Sequence, residues 1–106
     1  MNNNPIQDKI ELLSKYSDFH KAQDRAVEYL GEDAVLFFSP KESKKYRIYD
    51  PVNNKWVDFG QMGYEDFTKH QDEDRRQRYL KRATNMRGNW RDNKYSPNNL
   101  SIHILW

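Results

Sequence analysis

The residues best suited to chemistry in this chain are the cationic side chains between residues 75 and 94. This segment holds eight basic residues against a single acid, and arginine outnumbers lysine by six to two. Guanidinium groups bind phosphate oxygens through paired hydrogen bonds, so this density is typical of proteins that contact polyanions. On a helical wheel four of these residues share one face, which we call the basic stripe: Arg75, Arg78, Lys81 and Arg82.

Basic and aromatic residues flank the stripe on both sides. Trp90 and Arg91 follow it in the chain, and an exposed indole beside phosphate contacts can stack on a base. Lys45 and Arg47 are predicted on the outer face of a hairpin, where they would extend the basic surface. We therefore predict a nucleic-acid-binding surface, with DNA favoured over RNA, made of Arg75, Arg78, Lys81, Arg82, Lys45, Arg47, Trp90 and Arg91.

Two other interpretations explain the same stripe. It can dock on an acidic protein partner, or it can be a solvated helix face whose charges pair with Asp72, Glu73 and Asp74. Arg76 and Arg87 fall inside the apolar arc of the wheel, beside Tyr79, Leu80, Ala83 and Met86. A half-buried arginine needs an anionic partner, for which Asp66, Glu65 and a terminal carboxylate at Trp106 are candidates. We therefore expect Arg76 and Arg87 to serve the fold.

Catalytic and metal-binding patterns are missing from the sequence. There are no cysteines, and His20, His70 and His103 lie far apart without a second ligand at helical spacing. The acids Asp72, Glu73 and Asp74 suit the positive end of a helix dipole better than a metal cluster. No phosphate loop or serine-nucleophile motif is present. We predict a non-enzymatic protein without a cofactor or a metal.

The composition indicates one small domain over residues 1–106. Apolar residues make up 36% of the chain and charged residues 32%, so the core must be thin, and the 14% of aromatic residues must supply much of it. The first 43 residues carry an excess of acids, whereas residues 44–106 are basic. No apolar run is long enough to cross a bilayer, and the absence of cysteine favours an intracellular or virion-interior setting.

The periodicity predicts an α+β fold that positions the stripe. Asn4, Pro5 and Gln7 mark the start of a first helix with Ile6, Ile10 and Leu13 on its packing face. A second helix starts near Ser17 or Asp18, buries Ala22 and Ala26, and stops at Gly31. The later elements are a buried strand over 34–38, a hairpin that turns at Asn53-Asn54, a short helix over 64–70, an Arg-rich helix from Asp72 to about Met86, and a last short helix after Ser96-Pro97.

Thr68, His70 and Asp72 are closely spaced polar residues at the junction of the short helix and the Arg-rich helix. We predict that they form a cap-like network, in which Thr68 or His70 bonds backbone groups and Asp72 caps the Arg-rich helix. The acidic helices before residue 31 are a candidate mask that would pack against the basic stripe.

Several motifs resemble a family of small uncharacterised proteins of large nucleocytoplasmic DNA viruses, the mimivirus relatives in particular. The similarity covers residues 44–106 and is carried by the run Phe59-Gly60-Gln61-Met62-Gly63-Tyr64-Glu65-Asp66-Phe67-Thr68-Lys69-His70, by Asp72, Arg75-Arg76, Tyr79-Leu80 and Arg82, and by the ending from Tyr95 to Trp106. The resemblance implies a virion or an infected host cytoplasm as the setting, and it implies no activity. With the stripe, it leads us to expect an accessory protein that binds nucleic acid, or alternatively a virion assembly protein that docks on an acidic capsid or core protein.

Overall fold

A three-stranded antiparallel sheet forms the centre of the molecule, with its strands in the order β1-β2-β3. The computed structural model describes the backbone of residues 5–106 and the side chains of residues 7–106, so the predicted cap Asn4 and the side chain of Ile6 lie outside it. The fold is α+β, as expected. Its elements are α1 (Pro5–Leu13), α2 (Phe19–Leu30), β1 (Phe37–Phe38), β2 (Lys44–Asp50), β3 (Lys55–Gln61), α3 (Phe67–His70), α4 (Glu73–Thr84), a 3-10 turn (Trp90–Asp92), α5 (Pro97–Leu100) and a π-helical turn (Ser101–Leu105).

The hairpin of β2 and β3 follows the period-2 pattern of the sequence. Tyr46 pairs with Phe59 and Ile48 with Val57, and all four side chains are buried on the inner face. The Asp50 carboxylate closes the turn, because it accepts hydrogen bonds from the backbone N–H of Val52 and of Asn53 at 2.9 and 3.1 Å. Asn54 has a φ of 55°, as expected for an asparagine in a tight turn.

The predicted strand over 34–38 is shorter and less buried than expected. Only Phe37 and Phe38 pair with β2, and Phe37 is 46% exposed at the edge of the sheet. The reason is the side-chain amide of Gln23, which donates to the carbonyl of Ala34 at 2.9 Å and accepts from the N–H of Leu36 at 2.8 Å. These backbone groups are thus bound to α2 instead of to a strand.

Helix α2 covers the inner face of the sheet together with the C-terminal segment. Asp18 caps its first turn, Gly31 ends it with a φ of 110°, and Ala22 and Ala26 are fully buried, all as predicted. The expected mask over the stripe is wrong, because the buried side of α2 belongs to the core and the side chains of Arg78, Lys81 and Arg82 remain exposed.

Helix α4 begins at its predicted cap, Asp72, but it ends two residues earlier than predicted, at Thr84. Side chains take up its last carbonyl groups: the amide of Asn98 donates to Ala83 at 2.9 Å, and the guanidinium of Arg91 donates to Thr84. Met86 and Arg87 therefore lie beyond the helix and are exposed, so the prediction that they belong to its packing face is wrong.

The C-terminal segment packs its apolar residues into the core. The predicted last short helix is present as α5, with Ser96 as its cap, and Leu100, Ile104 and Leu105 are buried. Leu105 lies so close to β3 that a Cβ at Gly60 would approach its Cδ1 to 2.8 Å. Gly60 also has a φ of 83°, so both its conformation and its contact favour glycine.

Candidate anion-binding site

Helix α4 presents three cations to solvent. Arg78, Lys81 and Arg82 are exposed, and no ion pair joins any of them to a carboxylate within residues 7–106. They lie three and four residues apart, so they share one side of the helix. This part of the predicted stripe is therefore exposed and unpaired.

The other two arginines of α4 have partners. Arg75 donates from Nη1 to Oε1 of Glu65 at 3.1 Å. Arg76 donates from Nη1 to Glu73 at 3.0 Å and from Nε to the main-chain oxygen of Trp106 at 2.7 Å. The expected role of Arg76 in the fold is confirmed. Of its three predicted partners, Trp106 accepts through its main-chain oxygen, whereas Asp66 and Glu65 do not pair with it and Glu73 supplies the side-chain carboxylate.

Trp90 and Arg91 fold back on the end of α4. The indole Nε1 of Trp90 donates to the carbonyl of Met86 at 2.8 Å, and the guanidinium carbon of Arg91 lies 4.3 Å from the centre of the indole ring. Because this guanidinium already lies over the indole, a base that stacks on Trp90 must either share the ring with Arg91 or displace it. The two residues lie near the stripe in sequence, but their hydrogen bonds are made to the main chain at and just after the end of α4.

Lys45 is the clearest correction to the predicted surface. It lies on the predicted face of β2, but it is 2% exposed, so it cannot reach a ligand in solvent. Its Nζ donates to the Asp66 carboxylate at 3.0 Å and to the carbonyl of Tyr64 at 2.6 Å. Burial lowers the pKa of Lys45, and Asp66 offsets only part of that effect.

Arg47 is half-buried and neutralised by its cross-strand neighbour. Its guanidinium donates to the two carboxylate oxygens of Asp58 at 3.1 and 3.3 Å and lies 5.1 Å from the centre of the Trp56 ring. Burial acts to raise the pKa of Asp58, but hydrogen bonds from Ser39 and Arg47 outweigh it and hold the pKa below its usual range. Lys45 and Arg47 therefore do not extend the free positive charge of α4.

A cleft of about 390 Å³ opens beside α4, and three arginines of the helix line one side of it. Arg75, Arg78 and Arg82 face the segment from Gln61 to Glu65, whose Tyr64 side chain is 69% exposed at the rim. Lys81 does not line the cleft. The remaining lining residues belong to β2, β3, α4 and the C-terminal segment: Lys45, Gly60, Tyr79, Ser101, Leu105 and Trp106.

Tyr79 and Trp106 form the aromatic part of this cleft. Their rings stack with centres 4.1 Å apart at an angle of 10°. Burial raises the pKa of Tyr79, and a hydrogen bond with Ser101 and the charge of Arg82 offset part of the rise. The tyrosine therefore stays neutral and contributes apolar surface to the cleft.

The polar network predicted at the start of α4 is confirmed. Asp72 accepts from the N–H of Asp74 and Arg75 at 3.0 and 3.2 Å, and its own N–H donates to Nδ1 of His70 at 2.9 Å. The Oγ1 of Thr68 accepts from the N–H of Asp18 at 2.9 Å. These residues fix α4 relative to α2 and α3, and so they set the direction of the stripe.

Residues 34–83 match the model of a family of unknown function, DUF5754. The matched segment runs from just before β1 to the last turn of α4, so it contains Lys45, Glu65 and the whole basic stripe. The family has no known function, so the match by itself indicates neither an activity nor a source for the chain. No curated protein and no solved structure matches the chain.

None of the described helices is long and apolar enough to cross a bilayer. Across residues 5–106, no three His, Asp or Glu side chains come together as metal ligands would.

The sequence predicts the arginines of the cleft but not the residues on its other side. Tyr64, Glu65 and Ser101 were not predicted as site residues, because their distance from α4 depends on how the loop after β3 folds. The sequence carries only a weak signal for the pairing of Glu65 with Arg75, because the two residues lie ten positions apart and the segment around Glu65 has no regular periodicity.

Proposed function

We propose that the protein binds nucleic acid through phosphate contacts from Arg78, Lys81 and Arg82, without a chemical step. The observation that supports this proposal is the exposure of three unpaired cations on one side of α4, while Arg75, Arg76 and Arg47 have carboxylate partners. Cations that a fold leaves unpaired on a rigid helix are available for a polyanion, and phosphate contacts carry affinity without sequence preference.

The test is the salt dependence of binding to duplex and single-stranded DNA. Three phosphate contacts predict a slope of log affinity against log salt of about −2 to −3. The double variant Arg78→Gln with Arg82→Gln should reduce the size of the slope by about 2 and weaken binding equally for different sequences.

A matched control is the double variant Lys15→Gln with Lys21→Gln, which removes two exposed cations of the N-terminal region. It should leave the slope unchanged if the contacts come from α4. A slope near zero for the unaltered protein, or equal losses in both double variants, would contradict the proposal. The DNA should also be recovered intact after incubation.

A protein partner is the second candidate, and a separate surface favours it. Phe37, Tyr49 and Trp56 are each more than 40% exposed on the outer face of the sheet, with the Trp56 ring centre 5.4 Å from each of the other two. Exposed aromatic clusters are enriched at protein interfaces. In this alternative the stripe docks on an acidic capsid or core protein.

The viral setting of either function is supported by the sequence resemblance of residues 44–106 alone. Mass spectrometry of purified virions of a mimivirus relative that encodes such a protein, after nuclease treatment and separation of shell from core, tests it. Recovery with the shell favours the assembly role, recovery with the DNA core favours nucleic-acid binding, and absence from both fractions contradicts packaging.

A further inference from the structure

The cleft beside α4 has an excess of positive charge at its mouth. Arg75, Arg78 and Arg82 line it, and Glu65 is the acid that opposes them. The other ion pair at the cleft, between Lys45 and Asp66, is internally neutral. We propose that this cleft binds a phosphate monoester, either the terminal phosphate of a nucleic-acid strand or the phosphate of a mononucleotide. The strand-end form rests on the proposed function, and the mononucleotide form does not.

The placement of the three guanidiniums favours a phosphate over a carboxylate. Positions 75, 78 and 82 are three and four residues apart, so the three side chains leave α4 on one side along about 10 Å of helix. Arg75 is held by Glu65, whereas Arg78 and Arg82 have no acidic partner among residues 7–106. The three oxygens of a terminal phosphate can accept from two guanidiniums at once, which a carboxylate does less well.

The charge of the cleft favours a monoester over the diester of an internal linkage. The guanidiniums of Arg75, Arg78 and Arg82 and the carboxylate of Glu65 leave an excess of two positive charges, because the oxygen of Trp106 pairs separately with Arg76 at 2.7 Å. A phosphate monoester carries about −1.5 to −2 at neutral pH, so it balances that excess, whereas a backbone diester carries only a single negative charge. A strand end should therefore be preferred in the cleft, while the interior of the strand meets the rest of the stripe.

The remaining walls suit the sugar and base that follow the phosphate. A volume of about 390 Å³ lies in the range of small-ligand sites, and Tyr64 offers an exposed ring at the rim. The main chain at Tyr64 is held in place, because its carbonyl accepts a hydrogen bond from the Lys45 ammonium at 2.6 Å. Lys45 is thus a positioning residue for the rim.

The first experiment compares a short oligonucleotide with a 5′-phosphate, the same oligonucleotide with a 5′-hydroxyl, adenosine 5′-monophosphate and inorganic phosphate, by fluorescence competition or calorimetry. The phosphorylated strand should bind about tenfold more tightly than the hydroxyl form, because it adds charge-assisted hydrogen bonds to Arg78 and Arg82. Arg78→Gln with Arg82→Gln should abolish this difference. Lys81→Gln, outside the cleft, should weaken both strands equally and keep the ratio.

A second variant should bind more tightly than the unaltered protein, a result that a folding defect cannot produce. Glu65→Gln preserves the size of the side chain and releases Arg75, so the affinity for the 5′-phosphorylated strand and for adenosine 5′-monophosphate should rise by about threefold to tenfold. The affinity for the 5′-hydroxyl strand should change less.

The outcomes separate this inference from the proposed function. Equal, salt-dependent binding of the two strands, with no binding of adenosine 5′-monophosphate, overturns the inference and leaves backbone binding in place. Binding of adenosine 5′-monophosphate that depends on Arg78, without binding of either strand, supports the cleft and overturns the proposed function. No binding of any of the four probes overturns both.

Discussion

The cations of β2 and those of α4 differ in burial and in pairing with acids, although both segments are basic in the sequence. Lys45 is buried against Asp66 and two main-chain carbonyls, whereas Arg78 and Arg82 remain in solvent without an acidic partner. The difference comes from what covers each element. The loop after β3 closes over one end of the sheet, and within residues 5–106 nothing covers the outer side of α4. Charge density along a sequence therefore predicts a binding surface only where the element remains uncovered.

The buried region is a continuous polar network and not an isolated ion pair. Asp66 accepts from the N–H and the hydroxyl of Thr68, and the Thr68 hydroxyl lies 3.2 Å from that of Ser17. Ser17 in turn accepts from the hydroxyl of Tyr46 at 2.8 Å. Asp66, Thr68, Ser17 and Tyr46 are thus joined in one chain of hydrogen bonds, and loss of any one of them leaves a neighbour unsatisfied.

The largest effect should come from Lys45→Met. It leaves the Asp66 carboxylate buried without its cation, so the free energy of unfolding should fall by about 3–5 kcal/mol. Urea unfolding followed by circular dichroism measures this loss. A loss below about 1 kcal/mol would show that Lys45 is accessible to solvent and would remove the contrast with α4.

A smaller effect should follow from the protonation of His70. Burial, and then the charge of Arg75, lower the pKa of His70 below its ordinary value of 6.5. The unfolded chain therefore takes up the proton first, and the free energy of unfolding should decrease as the pH falls from 6.5 through the folded pKa. Protonation also ends the hydrogen bond that Nδ1 accepts from the Asp72 N–H.

His70→Asn tests this pH dependence, because an asparagine oxygen can accept the same N–H without titrating. Thermal unfolding between about pH 5 and 8 should show a flatter profile in the variant. Some slope should remain from His103, whose pKa is lowered by burial and then by Arg25 and Lys94. An unchanged profile would mean that groups other than His70 cause the whole pH dependence of stability.

The smallest effect is expected on α4. Arg78→Gln, Lys81→Gln and Arg82→Gln should each change the free energy of unfolding by less than about 0.5 kcal/mol, because the side chains are exposed and unpaired. The same urea experiment measures this. A loss above about 1 kcal/mol in any of the three would place that residue in the fold and weaken its assignment to a ligand.

Local signals made most of the fold predictable from sequence. Asp18, Gly31, Asp72 and Ser96 mark helix ends because a cap acts within three residues of its own position. The alternation of β2 and β3 predicted which side chains face inward. The predictions failed where a distant side chain intervened, as Gln23 does at residues 34–36 and Asn98 does at the end of α4.

The same limit applies to the candidate site. The stripe on α4 is visible in the sequence because three and four residue spacings define a helix face. The burial of Lys45 is not visible, since it depends on Asp66, which lies 21 residues further along the chain. Glu65 and Tyr64 enter the cleft only through the path of the loop after β3.

Helix α4 buries little surface against the rest of the molecule, and this has a consequence for its dynamics. Ala83 is the residue of this helix that is buried. The other contacts of the helix are made by half-buried or exposed residues, such as the bond from Arg76 to Trp106 and the stacking of Tyr79 on the same residue. Helices with so little buried surface open locally at a lower free energy than the core. The amide hydrogens of α4 should thus exchange with solvent before those of β2 and β3, and an occupant that bridges α4 and Tyr64 should slow that exchange, so the helix itself reports whether the cleft is filled.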